Sequence, residues 1–191
     1  MITPNGFAAV LCLLPLTGQA QDMQSLVEMP GHRALIEVGN QSDLKPFVTD
    51  GCSGGLSYSW TLVADTFPDF AEAHNQLPPW ENCCVIHDRA YHNMAGAETA
   101  QASYDARVVA DEALQSCVVD TGSLRVVELA ELYGASQQQV LGAYETIAGA
   151  MYLAVRFGGG PCSGLPWRWG YGYPECSVFG ASSGDDSPAR E

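Results

Sequence analysis

Apolar and polar positions, divided by prolines and glycines, predict three helices in the second half of the chain. The first is predicted to start after Pro79, because proline is tolerated in a first helical turn, and to end at Gly96. The second is predicted from about residue 98 to residue 119, where it stops before a glycine at position 122. The third is predicted over roughly 123–157, with a break near Gly134.

The first half of the chain has a mixed pattern. Residues 21–48 combine a helix-like start at 23–29 with a strand-like segment at 34–38. A glycine-rich turn follows at 50–55, and residues 56–79 are predicted to be loop. The chain is therefore predicted to be mostly α, with long loops.

The N-terminal segment 1–20 contains no charged side chain, and its short apolar run is followed by small residues before Ala20. We predict a secretory signal peptide cleaved after Ala20, a domain over 21–180 and a flexible tail over 181–191. The alternative is a buried N-terminal helix. Charges interrupt the apolar stretch 140–157, so we expect a core helix there and no transmembrane span.

Composition narrows the choice of function. The chain has 191 residues, and 22 acidic against 8 basic side chains give it a formal net charge of −14. Such a chain cannot neutralise a row of phosphates, which argues against a nucleic-acid partner. Seven cysteines are present, and removal of the signal peptide takes Cys12 away. An even number of cysteines in an exported chain predicts three disulfides and a secreted or periplasmic location. Composition leaves the oligomeric state open.

The first of the three predicted helices carries the candidate chemistry. Cys83, His87 and Tyr91 share one face at four-residue intervals, and Cys84 and Asp88 form the adjoining stripe. The helix therefore presents an imidazole beside a carboxylate, one turn after two cysteines. Taken alone, the histidine would be a satisfied core residue and the aspartate part of a solvated face.

The second predicted helix places a carboxylate within a stripe of helical spacing. The stripe consists of Tyr104, Val108, Asp111, Leu114 and Val118. A buried carboxylate is costly without a partner, and His87 is the obvious candidate. An imidazole held by a buried carboxylate has a fixed tautomer and a raised basicity. The alternative is a rotated helix in which Asp111 faces water beside Glu112.

Three motifs in this order resemble the secreted phospholipase A2 superfamily. Cys-Cys-x-x-His-Asp-x-x-Tyr at 83–91 matches its active-site helix, and Asp-Gly-Cys-Ser-Gly-Gly at 50–55 is similar to its calcium loop. Asp-x5-Cys at 111–117 resembles the segment whose aspartate supports the catalytic histidine. The likeness covers about 49–118 and is to a divergent member, of the bacterial or group XII type.

The resemblance implies a disulfide-stapled phospholipase A2-like fold with two antiparallel core helices. The implied pairs are Cys52–Cys84 and Cys83–Cys117, with Cys162–Cys176 as a local third. Ala90 and Ala110 occupy the two positions of a further disulfide that is common in the family. Both partners of that bridge are absent together, as expected of a homologue that has lost it.

The resemblance also implies calcium-dependent hydrolysis of the sn-2 ester of glycerophospholipids at a membrane or micelle surface. His87 would activate water, Asp111 would orient His87, and the hydroxyl of Tyr91 would assist. The implied Ca²⁺ ligands are the carbonyls of Gly51, Ser53 and Gly55 and the carboxylate of Asp88, and Asp50 could add an oxygen. A loop of this composition, taken alone, would be a simple glycine turn.

The sequence leaves open two alternative functions and the role of one segment. The first alternative is a catalytically silent lipid- or calcium-binding module on the same scaffold, and the second is a disulfide-rich structural protein. The aromatic segment 166–174 could form a patch that contacts the membrane interface, where Trp and Tyr are favoured. The alternative, which we favour, is that its rings pack on the helices.

Overall fold

The structure, a computed structural model, describes residues 17–53 and 77–179. Within these ranges the chain is mostly helical and contains no strand. The helices are α1 (Thr17–Gln41), α2 (Glu81–His92), α3 (Ala100–Leu124), α4 (Val126–Tyr133) and α5 (Gln137–Gly158). Short 3-10 helices cover Gly51–Ser53 and Met94–Gly96.

The predicted strand at 34–38 is wrong, because these residues lie within α1. Burial along this segment follows a helix, with His32 and Leu35 buried while Glu37 is exposed. Leu35 is fully buried in a cluster that includes Trp169 from the C-terminal segment. The β-branched residues of the segment favour a strand only weakly, and tertiary packing overrides that preference.

α2 and α3 pack against each other in antiparallel orientation. Contacts between them pair early residues of one helix with late residues of the other: Cys83 with Cys117, His87 with Asp111, and Tyr91 with Arg107. α2 starts at Glu81, close to the prolines that predicted its start. Antiparallel packing therefore brings the candidate imidazole and the candidate carboxylate to the same level.

α3 continues to Leu124 and does not stop before Gly122, so that predicted end is wrong. Gly122 is buried, and a Cβ atom there would lie 2.4 Å from Cγ of Tyr144 on α5. The glycine therefore serves the close approach of α3 and α5, and its position inside the helix reflects packing instead of capping.

The predicted break near Gly134 is confirmed. Gly134 ends α4 in the left-handed conformation, with φ of 61°, and its N–H bonds back to carbonyls of the last turn. Ser136 then starts α5 with a capping box. Its hydroxyl accepts a hydrogen bond from the backbone N–H of Gln139, and the Gln139 side chain accepts one from the backbone N–H of Ser136. Local chemistry thus divides the predicted third helix in two.

Three disulfides join the six cysteines that the structure describes, as the resemblance implied. They are Cys52–Cys84, Cys83–Cys117 and Cys162–Cys176. The first ties the 3-10 turn at Gly51–Ser53 to α2, and the second ties α2 to α3. The third closes the C-terminal loop that follows α5.

Several predictions fall near or beyond the limits of the described residues. α1 begins at Thr17, so the predicted cleavage site after Ala20 falls within its first turn. Most of the predicted signal peptide, the loop residues 54–76 and the tail 181–191 lie outside the described residues. Among the helices that the structure describes, none has the length and apolar character needed to cross a membrane. The apolar stretch 140–157 forms part of α5 and contributes buried residues to the core.

Candidate active site

α2 places His87 against α3 and fixes it from both sides. Cys84 links the helix to the 3-10 turn, and Cys83 links it to α3. His87 lies one turn beyond these two anchors and is only 7% exposed. The position of its ring is therefore set by covalent links as well as by packing.

The expected contact between His87 and Asp111 is present. Nε2 of His87 lies 2.9 Å from Oδ1 of Asp111, and Asp111 is 0% exposed, so the alternative of a water-facing aspartate does not apply. The hydroxyl of Tyr91 donates to the same oxygen at 2.7 Å. Since Nε2 faces the carboxylate, Nδ1 is the ring nitrogen that remains for chemistry.

Burial raises the pKa of Tyr91 well above its ordinary value, and the adjacent Asp111 adds to that rise. The phenol therefore keeps its proton at neutral pH and remains a hydrogen-bond donor to Asp111. Its ring also lies against the His87 ring, with centroids 4.1 Å apart. Tyr91 thus holds both members of the His87–Asp111 pair.

Three charged residues behind this pair were not predicted from the sequence. Arg156 of α5 donates to Oδ2 of Asp111 at 2.9 Å, and Arg107 of α3 lies beside it. Both guanidinium groups also contact Glu28 of α1. A charge that interrupts an apolar helical stretch was the available signal for Arg156, whereas Glu28 carried no such signal.

The 3-10 turn lies next to Asp88 on the other side of α2. Thr49 donates its hydroxyl to Oδ2 of Asp88 at 2.6 Å, and the N–H of Gly51 donates to that hydroxyl at 2.9 Å. The N–H of Cys52 donates to a carboxylate oxygen of Glu81 at 3.2 Å. Two carboxylates thus lie against the turn in which calcium ligands were predicted.

The pKa of Asp88 is raised, chiefly by burial and further by the nearby charges of Asp50 and Glu81; the Thr49 hydrogen bond and His87 offset part of this. A hard cation such as Ca²⁺ binds carboxylate and carbonyl oxygens, and a divalent cation bound there would favour the ionised form of this carboxylate. Of the predicted ligands, Gly51, Ser53 and Asp88 lie in this region. Gly55 lies outside the described residues.

No group of three or more His, Cys, Asp or Glu side chains is arranged to hold a metal ion in the described part of the chain. The predicted set is of a different kind, because it contains one carboxylate, with backbone carbonyls supplying the other oxygens. Gly51 has φ of +67°, a conformation that favours glycine. This backbone position therefore depends on its residue type.

A small cavity of about 40 Å³ opens beside His87. Its lining combines the polar site with an apolar wall: Gly51, Cys52, Cys84, His87, Asp88, Leu114, Met151, Val155 and Trp167. His87 and Asp88 therefore line the same space. A group bound there would meet polar side chains as well as aliphatic and aromatic ones.

Most of the aromatic segment packs on the helices. Trp169 is 0% exposed, and its indole N–H donates to Ser103 at 2.8 Å. The N–H groups of Gly170 and Gly172 donate to the last carbonyls of α2, those of Tyr91 and His92. Packing thus accounts for these residues, whereas Trp167 lines the cavity.

His92, the last residue of α2, follows Asp88 by four positions but is covered by other segments of the chain. It is buried, and its ring lies edge-on to Phe47 and Tyr171. The C-terminal segment folds back over the end of α2 and covers it. Sequence spacing along α2 alone could not show this cover.

A second histidine, His32 of α1, forms a contact that resembles a serine–histidine–carboxylate triad. Its Nδ1 lies 2.8 Å from Oγ of Ser103, and its Nε2 lies 3.5 Å from Glu28. His32 and Ser103 are both fully buried, and Trp169 also donates to the serine. We assign this group a structural role, because substrate has no access to a fully buried hydroxyl.

Comparison with known proteins identifies no relative: no family model, no curated protein and no solved structure matches the chain.

Proposed function

We propose that this protein is a phospholipase A2-like hydrolase that cleaves the sn-2 ester of glycerophospholipids in the presence of calcium. The observation that carries the proposal is the buried Asp111 at 2.9 Å from Nε2 of His87. Burying a carboxylate is costly, and its position against an imidazole at a cavity is the arrangement that general-base catalysis requires. The resemblance of the three motifs supplies the substrate class.

His87 would act as the general base through Nδ1. It would take a proton from a water molecule, whose oxygen then bonds to the ester carbonyl carbon. The ester C–O bond breaks, and the imidazolium returns the proton to the departing alkoxide, which yields a fatty acid and a lysophospholipid. No covalent intermediate with the protein is required.

Asp111 would hold the His87 tautomer and stabilise the imidazolium that forms during the reaction. Tyr91 would keep the carboxylate in place, since its phenol retains its proton. Both groups therefore act through the imidazole without touching the ester. Their burial protects these contacts from competition with water.

Asp88 would hold the calcium ion with the carbonyls of Gly51, Ser53 and Gly55, and Asp50 could add an oxygen. When bound, the ion would supply positive charge to the substrate phosphate and to the oxygen of the ester carbonyl. Asp88 supports this role by its position, since it lines the cavity together with His87. The raised pKa of Asp88 comes chiefly from burial and further from the nearby acids Asp50 and Glu81.

Apolar side chains at the cavity would contact the acyl chain of the substrate. They belong to Leu114, Met151, Val155 and Trp167, which line the cavity together with His87 and Asp88. The substrate would be a phospholipid at a membrane or micelle surface. The three disulfides are typical of exported proteins, and we propose a secreted or periplasmic location after removal of the signal peptide.

The test is fatty-acid release from phospholipid labelled at the sn-2 position, with calcium or with a chelator. We expect release by the wild type only with calcium, and a fall of about 100-fold or more for His87→Gln, because a general base contributes at least that much. His92→Gln is the matched control, since His92 is a buried histidine of the same helix. It should keep activity within a few-fold of the wild type.

The other possible results of this experiment distinguish the alternative functions. Release that persists in His87→Gln would remove the proposed mechanism, and release from an sn-1 label alone would change the specificity. Calcium-dependent binding to phospholipid without any hydrolysis would favour the catalytically silent module. An absence of both binding and hydrolysis would favour a structural protein.

A further inference from the structure

Four charged side chains form a closed cluster behind the His87–Asp111 pair. Arg107 and Asp111 come from α3, Arg156 from α5 and Glu28 from α1. Arg107 and Asp111 are fully buried, and Arg156 is nearly so. Two positive and two negative groups balance, which is the condition under which charges are tolerated in a protein interior.

Arg156 bridges the two acids of this cluster. Its Nη1 donates to Oδ2 of Asp111 and its Nη2 donates to Oε1 of Glu28, both at 2.9 Å. Arg107 contacts the other oxygen of Glu28 and donates to the backbone carbonyls of Val155 and Arg156. The end of α5 and the guanidinium of Arg156 are thus both fixed.

The two oxygens of Asp111 have separate partners. Oδ1 accepts from Tyr91 and faces His87, whereas Oδ2 accepts from Arg156. The terminal torsion of an aspartate is soft, so an unanchored carboxylate could turn away from the imidazole. The bond to Oδ2 opposes this rotation and keeps Oδ1 directed at Nε2 of His87.

We propose that Arg156 is a positioning residue for the reaction, and that Glu28 of α1 holds it in place. This inference rests on the proposed function, since it concerns the same imidazole. It adds that the first helix and the last helix support the active site through one ion-pair cluster. Neither residue touches the substrate cavity.

The experiment compares Arg156→Met and Arg156→Lys with the wild type. Arg125→Met is the matched control. Arg125 also forms an ion pair, with Glu128, but this pair lies at the start of α4 and is partly exposed to solvent. kcat and KM are measured on sn-2-labelled phospholipid. In parallel, ¹⁵N NMR of the imidazole at alkaline pH reports whether His87 carries its proton on Nε2, independently of any activity.

We expect Arg156→Met to lower kcat by about 10-fold to 100-fold, the usual effect of losing a hydrogen bond to a charged group, with KM unchanged. Its imidazole should show a mixture of tautomers, whereas the wild type shows the Nε2–H form. Arg156→Lys keeps the charge and a donor, so it should recover most of the lost kcat. Arg125→Met should match the wild type in both measurements.

Wild-type kcat and an unchanged tautomer in Arg156→Met would overturn the proposal. If Arg156→Met does not fold, Glu28→Gln decides by the same two measurements, because it removes the charge that holds Arg156 in place. A lowered kcat at constant KM with mixed tautomers supports positioning, and wild-type values overturn it. If the wild type releases no fatty acid, the proposed function fails, and the tautomer measurement alone still tests whether Arg156 positions the pair.

Discussion

Replacement of Asp111 by asparagine removes one charge from the interior and changes the side-chain volume little. In the wild type, Asp111 is 0% exposed and accepts hydrogen bonds from Tyr91 and Arg156 while it faces His87. Asparagine retains one acceptor oxygen and presents an NH₂ group where the other oxygen was. One of the donors would then face another donor, and two buried arginines would share the single charge of Glu28.

The expected loss of stability follows from these contacts. Removal of one partner from a buried ion pair costs about 3 to 5 kcal/mol, and the oxygen that asparagine retains places this variant near the lower value. For a chain of this length, each kcal/mol changes Tm by about 2 to 4 °C. We therefore expect Asp111→Asn to lower Tm by roughly 6 to 12 °C.

The measurement is thermal unfolding followed by circular dichroism with the disulfides intact. Asp120→Asn is the control, because Asp120 is an exposed residue of the same helix. It should change stability by no more than about 0.5 kcal/mol. A Tm for Asp111→Asn that equals that of Asp120→Asn would refute the reasoning, since it would mean that the buried charge does not anchor the three helices.

Three further predictions follow from single contacts. The pKa of Glu28 is lowered to about 2 from an ordinary 4.5. Burial alone would raise it, but the hydrogen bond to His32 and the charges of Arg107 and Arg156 outweigh that effect. Because a depressed carboxyl pKa stabilises the fold above the unfolded value, roughly 3 kcal/mol should be lost as pH falls from about 4.5 toward 2. Acid unfolding of Glu28→Gln should lack this loss, and an unchanged pH curve would contradict it. Gly51→Ala should destabilise more than Gly96→Ala in denaturant unfolding. Both glycines have positive φ, but a Cβ atom at Gly51 would also displace the Glu81 carboxylate, which accepts a hydrogen bond from the N–H of Cys52. Equal losses would show that Glu81 moves freely. Trp167→Ala should raise kcat/KM for long acyl chains relative to short ones, since its ring lines the cavity; a uniform change across chain lengths would remove Trp167 from the substrate path.

Local signals were sufficient for several elements. The start of α2 near Pro79 and the break at Gly134 depend on the restricted backbone of proline and the permissive backbone of glycine. The same logic was wrong at Gly122, where the glycine admits the ring of Tyr144 and the helix continues. A glycine in a sequence indicates that the backbone can adopt more conformations. Only tertiary packing decides whether a helix ends at that glycine or continues through it.

The helical periodicity of the sequence was sufficient to predict the His87–Asp111 contact. Both residues lie on helical stripes, and two antiparallel stripes can meet in only a few registers. A carboxylate within an apolar stripe needs a partner, which directed attention to the imidazole. The sequence therefore determined the helices of the second half of the chain, the disulfide partners that its motifs implied and the central pair.

The tertiary structure alone decided which residues surround this pair. Glu28 and Arg156 are 128 positions apart in the chain, and no local pattern connects them. Their contact depends on where α1 packs against α3, and burial decided this position through residues such as Leu35, which the local pattern assigned to a strand. Short-range propensities are worth fractions of a kcal/mol per residue, whereas burial of a side chain such as leucine is worth about 2 kcal/mol. Packing therefore determined α1, and with it the charged support of the candidate active site.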